Sequence, residues 1–134
     1  MINGIDHIAI GVADIEAAIA FYTKALNFRL GRRGTHKLSG KAIVFIHDPV
    51  TTVKIELIET DEAHVGFSHI AFKSTDIEAE AAKLKEDYDM TPLRGPQRTE
   101  AAQMMTAHYE AFDRLPTQLC CYDDGAKDTT MPPE

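Results

Sequence analysis

The chain contains the same stretch twice. His7-Ile8-Ala9-Ile10-Gly11-Val12-Ala13-Asp14-Ile15-Glu16-Ala17 recurs as His69-Ile70-Ala71-Phe72-Lys73-Ser74-Thr75-Asp76-Ile77-Glu78-Ala79, 62 residues later, with seven of eleven positions identical. A second pair obeys the same offset: Val53-Lys54-Ile55-Glu56-Leu57 maps onto Leu115-Pro116-Thr117-Gln118-Leu119. Two copies, each long enough for several elements, define a paired module rather than a solenoid of short units. Each module opens with a strand that carries a His. Each closes with a strand that carries a carboxylate or its amide.

The local patterns fill in the modules. Over Ile5 to Val12, apolar Ile8, Ile10 and Val12 alternate with His7, Ala9 and Gly11, the period of a strand. Asp14 is placed to cap a helix whose spacing puts Ile15, Ile19, Tyr22 and Leu26 on one face, and Asn27 is suited to end it. Phe28–Thr35, Lys41–His47 and Thr52–Ile58 read as three strands, with turns at Ser39-Gly40 and Asp48-Pro49. Thr60 to Gly66 is a polar connection. Phe67 to Lys73 repeats the first strand, and Asp76 caps a helix bearing Ile77, Ala81, Leu84 and Tyr88. Pro92, Gly95 and Pro96 break any regular element, and Arg98 to Gln103 fits loop or helix. Met105 to Phe112 and Pro116 to Tyr122 read as the last strands. The expectation is one domain over residues 1–134, with modules 1–60 and 67–122 and a mobile polar tail over 123–134.

Composition narrows the function classes. A net charge of -7 argues against nucleic acid or an anionic membrane as partner, since both select clustered Lys and Arg. No apolar run approaches the ~20 residues of a membrane span, and the N-terminus lacks the pattern of a signal peptide. The only cysteines, Cys120 and Cys121, are adjacent on a strand and poorly placed for an intrachain disulfide. A reduced, cytoplasmic location is therefore expected.

On the opening strands each His lies opposite the bulky apolar residues, with Ala9 or Ala71 beside it on its own face. Glu56 and Gln118 have the same relation to their strands. Helices over the apolar faces would leave His7, Glu56, His69 and Gln118 on a concave face with room for an ion. With Asp6-His7-Ile8-Ala9-Ile10, Phe21-Tyr22, Leu26-Asn27-Phe28, Ile55-Glu56-Leu57, Ser68-His69-Ile70-Ala71-Phe72 and Leu115-Pro116-Thr117-Gln118-Leu119, the sequence resembles the vicinal oxygen chelate superfamily. That superfamily includes glyoxalase I, methylmalonyl-CoA epimerase, extradiol dioxygenases and the fosfomycin- and bleomycin-resistance proteins.

The resemblance implies an α+β fold of two tandem βαβββ modules. Their mixed sheets curl around a metal-centred concave site, with helices on the outer face. It places the four metal ligands at His7, Glu56, His69 and Gln118, with Glu56 also the proton-moving group. Zn, Ni, Co, Mn or Fe would suit such donors. It further implies a homodimer acting on a small oxygenated metabolite, as a glyoxalase-like lyase or isomerase that chelates two substrate oxygens. Two departures keep other readings open. The fourth ligand position is often Glu, whereas here it is Gln118. The turn Asp113-Arg114-Leu115-Pro116 is shorter than usual, and a slip of two residues would bring Cys120 to that position. The alternatives are a metal-free ligand-sequestering protein of the bleomycin-resistance type, or a thiol transferase or extradiol dioxygenase.

Bland roles are the default elsewhere. His36, His47, His64 and His108 lack repeat partners and are expected at the surface or in a pocket wall, with His47 and His108 able to reach substrate from their strands. Cys120 and Cys121 read as small fillers. Phe21, Tyr22 and Leu84 read as core. Arg32-Arg33 is a solvated pair or a substrate-anion contact.

Overall fold

The computed structural model describes residues 1–36, 39–100 and 102–126. The elements run β1 (Ile2–Val12), α1 (Ile15–Ala20), β2 (Arg29–Thr35), β3 (Ala42–His47), β4 (Lys54–Glu59), β5 (Gly66–Ser74), α2 (Ile77–Tyr88), β6 (Arg94–Thr99), β7 (Met104–Glu110) and β8 (Pro116–Tyr122). This is the α+β pattern of two βαβββ modules. The chain forms two compact units. One holds residues 7–68. Of the described residues, the other holds Met1–Asp6 together with 69–126, so the first residues of β1 belong with the second module.

In the unit of residues 7–68 the strand order is β2-β3-β4-β1. The outer pairs are antiparallel, and β1 runs parallel to β4. Asp14 accepts from the Ala17 amide at 3.0 Å and so caps α1, a contact worth about 1 kcal/mol. Ile15 and Ile19 then bury against Val44, Ile46 and Leu57. Each such side chain contributes roughly 1.5–3 kcal/mol through removal from water. Beyond Ala20 the helix widens into a single π turn, Phe21–Ala25, and Asn27 reverses the chain with φ 59°. The widened turn rotates the apolar series off its course. Tyr22 stays packed on the core, but Phe21 and Leu26 are exposed, contrary to their expected burial.

In the other unit the order is β1-β5-β8-β7-β6. Asp76 caps α2 through the Ala79 amide at 3.1 Å, repeating the Asp14 device, and Asp89 (φ 54°) ends the helix. Ile77 packs with Ala107, Tyr109 and Leu119, joined by Leu84, Phe72 and Cys121. Tyr88 is exposed rather than on the buried face. Within the stretch that looked irregular from Pro92 lies strand β6, which carries Gly95 and Pro96. At a sheet edge a strand can spare an N–H, which is why proline is tolerated there.

Residues 123–126, the described part of the expected tail, are held by contacts. The Asp123 amide donates to the Gln103 carbonyl at 2.8 Å, and the Arg98 guanidinium clamps the Asp123 carboxylate. Ala126 is buried. The rest of the expected tail, 127–134, lies outside the described residues.

The Arg98 hydrogen bonds, with its charge, hold the Asp123 carboxyl below the usual carboxylate range. This anchor is therefore fully present above the ordinary Asp pKa of ~3.9 and is lost as pH falls through the lower folded value. An NMR titration of Asp123 should show its midpoint below that of an unpaired aspartate. Arg98→Gln should move it up towards ~3.9.

Candidate functional site

The two modules share one register. In the first, β1 and β4 pair Ala9 with Glu56; in the second, β5 and β8 pair Ala71 with Gln118. Laterally paired residues point to the same side of a sheet. Glu56 therefore shares the face of Ala9 and His7, and Gln118 shares the face of Ala71 and His69. In each unit this is the face away from the helix, because α1 packs on Leu57 and α2 on Leu119.

Within residues 7–68, His7 and Glu56 come together. His7 Nε2 lies 3.6 Å from Glu56 Oε2, with His7 1 % and Glu56 12 % exposed. The His7 ring also meets Phe45 edge-on, at 5.6 Å between centroids. Phe45 lies opposite Glu56 on β3, and His47 lies opposite Lys54. Lys54 in turn pairs with His7. His47 and Lys54 are both buried. An imidazole and a carboxylate side by side on a buried face form a donor pair that fits a divalent ion such as Zn, Ni, Co, Mn or Fe(II).

Within the second unit Gln118 is buried and His69 half-buried. Gln118 lies opposite His108 on β7. Cys120 shares the Gln118 face by strand parity, and it is fully buried among Ala71, Ala102 and Met104. It packs as the small filler expected. Cys121 turns towards the α2 core. Asp6 is buried and accepts a hydrogen bond from the Tyr122 hydroxyl at 2.9 Å. His36 and His64 are surface groups with local partners. Ser39 donates to His36 Nδ1 through its backbone amide at 3.2 Å, and His64 Nδ1 sits 2.6 Å from Asp61.

Arg32 and Arg33 part company. Arg33 lies opposite Val44 and reaches α1, where its guanidinium meets both Glu16 carboxylate oxygens, at 2.7 and 3.3 Å. Those hydrogen bonds lower the Glu16 pKa from its ordinary value. Arg32 goes the other way and stands over the Phe45 ring, 5.1 Å from its centroid. A bulge between Leu30 and Arg33 causes the split, since it fits Gly31 and Arg32 into the interval opposite Phe45.

Lys54 is the functional candidate that sequence reasoning passed over. It stands two residues before Glu56, and period-2 alternation would have placed it on the same face. A lysine inside a strand otherwise reads as solvated.

Known proteins agree with this architecture. The family model for the Glyoxalase/Bleomycin resistance protein/Dioxygenase superfamily matches residues 4–124, and the chain belongs to that superfamily. Ethylmalonyl-CoA/methylmalonyl-CoA epimerase of Cereibacter sphaeroides is 34% identical over 99 residues, 64% of this chain and 72% of that protein. Among solved structures, methylmalonyl-CoA epimerase from Mycobacterium tuberculosis superposes with a TM-score of 0.80 at 19% identity, covering 91% of this chain and 89% of that one. A Streptomyces coelicolor methylmalonyl-CoA epimerase variant, bound to 2-nitronate-propionyl-CoA, gives 0.76 at 22% identity, covering 91% and 99%. At these identities the structural likeness speaks for the fold.

Gly31 is the tightest point on the first module's face. A Cβ there would stand 2.5 Å from His47 Nε2 and 2.9 Å from the Phe45 carbonyl oxygen, which is backbone and cannot swing away. Gly31→Ala should destabilise the protein by about 1–3 kcal/mol in denaturant titration. Gly34→Ala, whose nearest neighbour is the flexible end of Arg32 at 3.4 Å, should stay within ~0.5 kcal/mol of the parent.

Proposed function

We propose that the protein is a metal-dependent isomerase that moves a proton at a carbon next to a carbonyl, with His7, Glu56, His69 and Gln118 holding one divalent ion. The observation that carries this is the 3.6 Å approach of His7 Nε2 to Glu56 Oε2 on the helix-free face. The common register of Glu56 and Gln118 supports extending the set to the second module. The curated relative named as an ethylmalonyl-CoA/methylmalonyl-CoA epimerase favours isomerase over lyase and suggests 2-alkylmalonyl thioesters as first substrates to try.

Bound to these side chains, a divalent ion would supply Lewis acidity to the substrate's oxygens. The chain's own part is orientation and proton transfer. His7 fixes the position of Glu56 from the adjacent strand. The Glu56 carboxylate takes the proton from the activated carbon and returns it. Phe45 and Ala9 shape an apolar floor beside it and limit water, which would compete for the carboxylate.

Elemental analysis of protein purified without added metal should find about one divalent ion per chain, the stoichiometry of a single closed donor set. Protein that carries none, and takes up none of Zn, Ni, Co or Mn on titration, would instead support a ligand-sequestering role.

The role of Glu56 has its own test. Solvent deuterium incorporation into methylmalonyl-CoA reports proton transfer directly. Glu56→Gln should keep measurable metal and lose at least the ~10²-fold expected of a general base. Unchanged exchange in that variant would remove Glu56 from the role.

A further inference from the structure

The face that carries His7 and Glu56 is positively charged in a protein of net charge -7. Along β2, β3 and β4 it gathers Arg29, which pairs with His47, then Arg32 over Phe45, and Lys54, which pairs with both His47 and His7. Glu56 is the one carboxylate among the described residues of these three strands on that side. Two of the cations share a single ring: Arg32 Cζ stands 5.1 Å, and Lys54 Nζ 5.6 Å, from the Phe45 centroid. Holding two like charges against one aromatic ring is an arrangement that an anion stabilises.

The lysine of this set belongs to the first module alone. Lys54 is only 1 % exposed, a position where lysine is rare because an ammonium is costly to desolvate. Its counterpart 62 residues on is Pro116, which is exposed. Arg32 has a counterpart in the repeat, Arg94, which pairs with His108 on the Gln118 face; Arg32 itself is aimed at Phe45 by a bulge, while its neighbour Arg33 serves the helix side.

We propose that Arg32 and Lys54, with Phe45 between their chains, form an oxyanion subsite that binds an acidic group of the substrate beside Glu56. Arg32 is the half-exposed arm that meets the anion with its planar fork of donors. Lys54 is the buried charge that keeps the face positive. A carboxylate and a phosphate offer the same oxygens to such a pair, and the two sources are separable by probe. The inference rests on the functional reading above only in taking this face as the substrate face. It needs no metal.

Isothermal titration of chelator-treated protein with malonate and, separately, with pyrophosphate tests it without the ion. At least one probe should bind, and the tighter one identifies carboxylate or phosphate as the group recognised. Arg32→Gln should weaken that binding by about tenfold or more, the loss of one charge-assisted contact. Arg33→Gln, one residue away but on the helix side, should leave it unchanged. Lys54→Met should weaken it too, provided its circular dichroism matches the parent. Failure of both probes to bind, or equal affinity in Arg32→Gln and the parent, overturns the subsite. Because the ion is absent throughout, either outcome is independent of whether the metal reading holds.

Discussion

The parallel ladder between the first and last strands of each module is the contact on which the rest depends. It sets Ala9 against Glu56 and Ala71 against Gln118. A shift of one residue would turn every side chain of the closing strand to the other face and put Leu57 and Leu119 where Glu56 and Gln118 stand. The helices guard against that slip. Leu57 and Leu119 are buried under α1 and α2, so a slipped register would expose apolar surface and bury carboxylate or amide in its place. Core and candidate site are therefore two sides of one choice of register.

Much of this was legible in the sequence because period-2 alternation and a repeat carry face information directly. The 62-residue offset alone placed Gln118 on the face of His69, and it also matched the Asp14 and Asp76 caps that start both helices. What was not legible has local physical causes. Pro92, Gly95 and Pro96 read as breakers, but Gly95 and Pro96 sit in a strand at a sheet edge, where a missing donor costs little. Phe21 and Leu26 fit a regular helix on paper, but the π turn changes the rotation per residue after Ala20. Arg32 and Arg33 could not be separated because nothing in their residue types announces a bulge.

The two modules also differ in ways the repeat hides. The first keeps Glu56 with Lys54, Phe45 and Arg32 around it, whereas the second places Gln118 opposite His108 and beside a small-residue cluster of Ala71, Ala102 and Cys120. Duplication supplies symmetric positions, which side-chain chemistry then fills differently.

The bulge in β2 makes the length of one strand a determinant of what the face attracts. Removing Arg32 would leave Gly31 alone opposite Phe45, restore plain alternation and take a guanidinium off the Phe45 side, with no residue of the His7–Glu56 pair altered. Relatives that differ here by one insertion or deletion would present a different electrostatic surface to their ligands while keeping the same donor pair. In this superfamily fold, ligand preference can thus diverge through chain length in an edge strand, a route that position-by-position comparison of the ligating side chains would not register.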